Sequence, residues 1–510
     1  MSNLPLLSIL IWLPIVGALA IFILGGERRP LLAQRIAFLT SLITIVLCIP
    51  LWQGFDSQSV AFQFVENKAW LPNLNINYAL GIDGFALPLI ILTCFFTPIV
   101  ILAAWNTINK QIAHYMAAFL VMQGLMCGVF SAIDSILFYV FWESMLIPMF
   151  LIIGIWGGPQ RIYATIKFFL YTFFGSIFLL IAIIYLYSLT SHQGLAEPFS
   201  ILTFHQVKID IIAQKWIFFA FLIAFAVKVP MWPVHTWLPD AHVQAPTGGS
   251  VILAAIMLKM GAYGFLRFIL PIVPDASRMF SFHVIVLSLI GVVYIGFVAI
   301  TQKDMKKLIA YSSIAHMGFV TLGFFLVFSL TSNSFQHDAA IMGIEGAYVQ
   351  MISHGFISAA MFLCIGVLYE QMHSREIMSY GGVASKMPWF AVFYILFAMG
   401  NIGLPGTSGF VGEFFVILAA FQSNIWFAFF AAMTLILGAI YTLWMVKRVL
   451  WGEITNESVQ KLNDINAKQA LYLSILAFMV LLIGLWPHPL IEVTQQSVQQ
   501  LINHIELPKY

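Results

Sequence analysis

Fourteen stretches of this chain are apolar over roughly the 20 residues that an α-helix needs to cross a bilayer, and that length constrains the fold before any motif is read. They fall near 5–24, 34–52, 80–105, 113–131, 133–155, 164–188, 216–238, 247–270, 279–300, 306–329, 340–369, 389–421, 425–447 and 469–487. Of the 510 residues 61% are hydrophobic and only 9% are charged, against about 25% charged in soluble domains. Mean hydropathy is +0.95. An outer-membrane barrel would show short alternating strands instead. The expectation is an all-α polytopic membrane protein. The first run, from Pro5 to Leu24, lacks the positive region of a signal peptide and is expected to stay as the first helix.

An even number of spans puts both termini on one side. Fourteen lysines and arginines fall in the loops of one face and five in those of the other. Short cytoplasmic loops carry the excess, so both termini are expected outside, in the periplasm or its equivalent. Four basic residues remain, Lys167, Lys228, Lys259 and Arg267, within or at the edges of spans. A net charge of +2 gives no footprint for a nucleic acid. Cys48, Cys94, Cys127 and Cys364 lie in apolar runs without metal-ligand spacing, so they read as core residues and neither an iron–sulfur cluster nor zinc is expected.

Helices four to eight and nine to thirteen form two sets of five, and an odd repeat length would invert the second set. The fourth member of each set carries broken-helix punctuation: Lys228-Val-Pro230-Met-Trp-Pro233 in helix seven and Gly403-Leu-Pro405-Gly406 in helix twelve. The expected organisation is residues 1–112 for the first three helices, 113–270 for one repeat, 279–450 for its inverted partner and 451–510 for the last helix and tail.

Charges inside such spans cost about 2.5–3.5 kcal/mol each on insertion scales and mark pathways. Glu143, near the middle of helix five, has Lys228 on helix seven as its natural partner. Moving one toward or away from the other would change whether the lysine keeps its proton; a static salt bridge is the alternative. Lys259 lies mid-helix, too deep to reach an interface comfortably. His316 and His354 follow in helices ten and eleven, with Ser312 and Ser358 four residues away on the same faces, an arrangement suited to short relays or, alternatively, to haem ligation. Glu413 takes in helix twelve the place that Lys228 has in helix seven. Lys167 either joins the relay or snorkels. Asp83 and Asp134 sit at helix starts and read as structural, whereas Asp240 and His242 could line the inner entrance.

Longer motifs add a resemblance. His235-Thr-Trp-Leu-Pro-Asp-Ala-His242, Ala245-Pro-Thr-Gly-Gly-Ser250, Leu258-Lys-Met-Gly-Ala-Tyr-Gly264 and Asp304-Met-Lys-Lys-Leu-Ile-Ala-Tyr-Ser-Ser-Ile-Ala-His-Met-Gly318 resemble the antiporter-like subunits of proton-translocating NADH:quinone oxidoreductase, respiratory complex I. Glu413 sets the chain apart from the L- and N-type branches and from cation/proton antiporters, which typically carry lysine there. The resemblance implies a proton-translocating subunit of a bacterial inner membrane. Glu143 and Lys228 would be its coupled pair, Lys259 its central lysine, His316 and His354 bridging groups, and Glu413 the terminal residue, with His235 in the first motif a further candidate. It implies homologous L and N subunits as neighbours in the lipid bilayer, and flavin, iron–sulfur clusters and quinone bound in other subunits, with no cofactor in this chain. The rival readings are a subunit of a sodium/proton antiporter or membrane-bound hydrogenase, a haem-binding electron-transfer subunit, and a purely scaffolding subunit in which neutralising Lys228 or Lys259 would leave pumping intact. The long amphipathic arm of the L-type subunit is not expected after helix fourteen.

Overall fold

The computed structural model describes residues 4–331 and 336–509. Its spanning helices are α1 (Leu6–Ile23), α2 (Pro30–Gln53), α3 (Ala86–Ala104), α4 (Ile112–Ser131), α5 (Ser135–Trp156), α6 (Arg161–His192), α7 (Ile211–Lys228), α8 (Thr247–Ile272), α9 (Pro274–Ile300), α10 (Met305–Leu330) and α11 (His337–Met372). A pair of shorter helices, Pro388–Ile402 and Ser408–Ser423, together make α12, and α13 (Ile425–Leu450) and α14 (Ala467–Leu485) complete the set. A further helix, α15 (His488–Glu506), is amphipathic, burying Val493, Val498, Leu501, Ile502 and Ile505.

One element departs from the all-α expectation. The antiparallel strands β1 (Gln63–Leu71) and β2 (Ile76–Ile82) form a hairpin where the sequence reading began the third helix at residue 80. Asn75, in the left-handed conformation at φ 55°, closes the turn after Pro72–Leu74. Strand β2 is buried while β1 is largely exposed, a two-faced pattern that an apolar-run search merges with the helix behind it. Glu66 on β1 accepts hydrogen bonds from the backbone N–H groups of Leu7 and Ser8, satisfying donors at the start of α1.

The centre of the bundle is α8, in which every residue after Thr247 is buried. It contains two π-helical segments, Leu253–Met257 and Phe265–Ile269, on either side of Lys259. Such segments loosen the backbone hydrogen-bond ladder and occur often at functional sites. Glycines let neighbouring backbones close on this helix. A Cβ at Gly261 would lie 2.8 Å from the Val229 nitrogen, and one at Gly264 would lie 2.3 Å from the Phe225 ring.

The two breaks follow from proline. Pro230 has no N–H to give to Ala226, four residues back. Instead Met231 N–H donates to the Ala226 carbonyl (2.7 Å), and the Trp237 indole N–H takes the Val227 carbonyl (2.8 Å). The chain resumes as a short helix at Trp237–Gln244. In α12, Gly403 and Gly406 adopt φ of 80° and 89° around Pro405. A Cβ at Gly409 would approach the Gly400 carbonyl to 2.3 Å, so the two halves meet almost backbone to backbone.

Candidate functional site

Four buried ionisable groups are in line across the centre of the bundle. Lys259 on α8, His354 on α11, His316 on α10 and Glu413 on the second half of α12 are between 0 and 4% exposed. The first three stand near the middle of their helices, so the line runs sideways through the protein and not from face to face. Lys259 Nζ donates to the Ala254 carbonyl (2.6 Å), which belongs to the first π-helical segment, and lies 2.7 Å from His354 Nδ1. The His354 and His316 rings have centroids 5.6 Å apart. His316 Nδ1 is 2.9 Å from Glu413 Oε1, and neither histidine has a protein partner at Nε2.

Gln350 belongs to this line and was missed in the sequence reading. Its amide nitrogen donates to Glu413 Oε1 (3.0 Å) and lies 3.2 Å from His316 Nδ1. Its signal was available: it precedes His354 by four residues, on the same face of α11. Close packing holds the group, since a Cβ at Gly412 would sit 2.5 Å from the Gln350 backbone nitrogen and one at Gly403 would sit 2.7 Å from Glu413 Oε2.

Lys228 and Glu143 are arranged differently from the expected ion pair. Lys228 Nζ makes no hydrogen bond and stands 4.9 Å from the centroid of the Trp142 ring. Glu143, the next residue after Trp142, is within electrostatic range of the lysine but not in salt-bridge contact, and its Oε1 has no hydrogen-bond partner. The aromatic face takes the cation in place of the carboxylate, with an attraction of about 0.5–2 kcal/mol. Lys228 is also the last residue of α7 before its break, whereas Glu413 follows the break in α12, so their positions are not equivalent. Lys228 and Lys259 lie on helices in backbone contact at Gly261, with no hydrogen bond between them.

Several expectations change. Ser358 donates to the backbone carbonyl of His354 (2.5 Å), and Ser312 donates to Asn401 Oδ1 (3.2 Å), so neither hydroxyl bonds to a histidine ring; a serine in a helix readily finds the carbonyl one turn back. Lys167 does not snorkel freely but pairs with Asp240 at 2.7 Å. His242 is wholly buried, stacked 4.6 Å from the Phe362 ring, with both ring nitrogens unpartnered, so it lies behind the surface and not at a mouth. His235 is buried in the α7 break, with Nδ1 unpartnered, apart from the line.

Lys306, at the start of α10 and one of the fourteen basic residues assigned to the loops of one face, is 4% exposed and donates to the Ala245 carbonyl (2.7 Å) and Ser250 Oγ (3.2 Å). Asp134 caps α5 through Ile136 and Leu137 N–H and also accepts from Asn77 N–H on β2. Asp83 accepts from Phe85 and Ala86 N–H at the start of α3, as its helix-end position suggested, and is also locked to Arg267. Cys94 and Cys127 sulfurs are 3.8 Å apart in the core, beside the buried Cys48.

A fully helical spanning core with ionisable groups strung through it defines the class, the antiporter-like membrane subunits. Residues 132–438 match the family described as NADH:quinone oxidoreductase/Mrp antiporter, TM, and residues 32–131 match the NADH-ubiquinone oxidoreductase chain 4 amino terminus. The chain is 45% identical to NADH-quinone oxidoreductase subunit M of Rhodobacter capsulatus, over 98% of this chain and 96% of that one. It is 43% identical to chain 4 of the Marchantia polymorpha NADH-ubiquinone oxidoreductase, over 98% and 97%. Among solved structures, a chain of respiratory complex I from Thermus thermophilus superposes with TM-score 0.86 at 26% identity, covering 98% and 99% of the two chains. A chain of the Mrp complex from a Dietzia species gives 0.83 at 19% identity, covering 98% and 99%, a likeness of fold. This chain belongs to the subunit M family of NADH-quinone oxidoreductase.

Proposed function

We propose that this protein is the proton-translocating subunit M of an NADH:quinone oxidoreductase and that it moves protons through its own buried side chains, driven by quinone reduction elsewhere in the complex. Membership of the subunit M family supports the assignment. The observation that carries the mechanism is the line Lys259, His354, His316, Glu413, in which the first and last steps are 2.7 and 2.9 Å and the two histidine rings between them have centroids 5.6 Å apart. Each group can hold or release a proton. Lys228 is the gate to this line: resting on Trp142 it is uncommitted, and swinging to Glu143 it would gain a counter-charge that holds its proton. The bond chemistry belongs to other subunits, where flavin, iron–sulfur clusters and quinone are bound. The chain itself supplies the path.

The finer arrangement follows the same reading. The basic-residue count favours both termini outside an energy-coupling membrane, the bacterial inner membrane, with L- and N-type subunits as lateral neighbours to which the line conducts. The breaks in α7 and α12, each the fourth of five helices, favour two inverted repeats at 113–270 and 279–450. Haem ligation is the weaker reading, since the two ring centroids are only 5.6 Å apart and the surrounding helices are packed through glycine contacts, an arrangement too close for a porphyrin between the rings. Sodium/proton exchange shares the fold, and Glu413, with its histidine and amide partners, favours protons.

The test is NADH oxidation together with proton uptake in inverted membrane vesicles carrying Glu143→Ala, with assembly of the complex checked in parallel. Loss of both activities in an assembled complex is expected. Unchanged pumping would return Glu143 to a structural role.

A further inference from the structure

A second set of polar groups continues along α8 beyond Lys259. Tyr263 and Arg267 follow it at intervals of four residues, on one face, toward the end of the helix that packs near Asp83. The Tyr263 hydroxyl donates to the Phe130 carbonyl (3.0 Å) and accepts from Arg267 Nε–H (2.9 Å). The guanidinium Nη2 is bound to Asp83 Oδ1, and the group lies over the rings of Phe62, Tyr263 and Phe85 at 4.8, 5.1 and 5.8 Å. Arg267 and Asp83 are each 6% exposed. On the far side is a polar cavity of about 70 Å³, bordered by His205, Ser497 and His504 as well as by the ion pair. That volume admits water, at about 10–15 Å³ per molecule on this measure.

These groups lie on the route that a proton on Lys259 would take if it left along α8 toward the polar cavity, at the end of the helix that the basic-residue count places outside. The hydrogen bonds run the wrong way for it. The hydroxyl proton of Tyr263 is committed to a backbone carbonyl, and the oxygen faces an N–H donor. The guanidinium offers five donors and no acceptor, and it does not deprotonate in proteins. Asp83 cancels its net charge, so the obstacle is the direction of donors and the dry aromatic ring around them, more than repulsion.

We propose that Arg267, fastened to Asp83 and ringed by Phe62, Phe85 and Tyr263, is a plug that closes the outer end of α8 to protons, leaving a proton on Lys259 the sideways step to His354. The inference rests on the relay reading above and adds to it: the subunit passes charge along the line and does not leak it to the outer face through α8. Arg267 is a positioning residue here, since it acts by denying an acceptor.

The experiment measures passive decay of a preset pH gradient, without NADH, in membrane vesicles containing the assembled complex. Asp83→Asn/Arg267→Gln replaces the pair with two amides that can bond one another and that present acceptor oxygens. A severalfold faster decay is expected, returning to the native rate when Lys259→Met is added. A native rate of decay in the assembled double variant overturns the plug and leaves the pair as a fastener between α3 and α8. Faster decay that persists with Lys259→Met also overturns it, because the leak then bypasses the lysine. If the double variant does not assemble, Arg267→Lys keeps a charge for Asp83 but can release its proton, and unchanged decay in that variant overturns the proposal. Failure of the relay reading is scored separately, as normal NADH-driven pumping by Lys259→Met alone.

Discussion

Lys259 separates a moving proton from a fixed charge. Its ammonium is wholly buried and makes two short contacts, 2.6 Å to the Ala254 carbonyl and 2.7 Å to His354 Nδ1. Hydrogen bonds to a charged group contribute about 1.5–3 kcal/mol each. The desolvation of a buried ion costs several kcal/mol, of similar size and opposite sign. Lys259→Met, close in length and apolar, should therefore assemble with little change in stability. Its proton-transfer step is lost altogether, and groups of this kind contribute about 10²–10⁴-fold to rate. Lys259→Arg keeps the positive charge but not the ability to release a proton. Both variants should show NADH-driven proton uptake reduced by about 10²-fold or more through this subunit. The assay is proton uptake and NADH oxidation in inverted vesicles, normalised to assembled complex. Native uptake by Lys259→Arg would refute the relay and leave Lys259 as an electrostatic element only.

Glu413→Gln keeps the shape of the side chain but removes the charged acceptor of His316 and Gln350, so pumping should fall while the complex still assembles; equal pumping would remove Glu413 from the path. Gly261→Ala places a Cβ 2.8 Å from the Val229 nitrogen and 3.0 Å from Lys228 Cβ. Overpacking of this kind costs about 1–3 kcal/mol, and a lower melting temperature of the detergent-solubilised complex, with reduced activity, is expected. Asp134, just ahead of α5, is pushed up to about 6 by burial against a reference of 3.8. The folded state then binds more protons than the unfolded one between about pH 4 and 6, so this residue's contribution to stability falls as pH rises through that window, by on the order of 3 kcal/mol in total. Asp134→Asn, which can still cap α5, should flatten that part of the melting-temperature profile measured from pH 4 to 7.

The sequence determined the class of this protein because bilayer thickness sets a length that apolar runs either reach or do not. Among the described residues, thirteen helices long and apolar enough to cross a membrane lie where such segments were read, and the segment read as the twelfth holds two shorter helices on either side of Pro405. Burying a charge in hydrocarbon is costly enough that Lys228, Lys259 and Glu413 could be singled out from the chain alone. What the sequence could not supply were relations between helices. Strand β2 has the composition of a helix start, and only its pairing with β1 separates the two. Lys306 sits at a helix end in the sequence, yet the carbonyl of Ala245, 61 residues away, draws it inside. Gln350 carries no charge, and its spacing of four from His354 was its one mark in the sequence; its place in the line came only when α12 set Glu413 beside it. The same holds for Glu143 and Lys228, whose complementary charges suggested a closed pair. The fold sets Trp142 under the ammonium instead, and that choice depends on ångström-scale packing between α5 and α7, which no pattern along a single chain encodes.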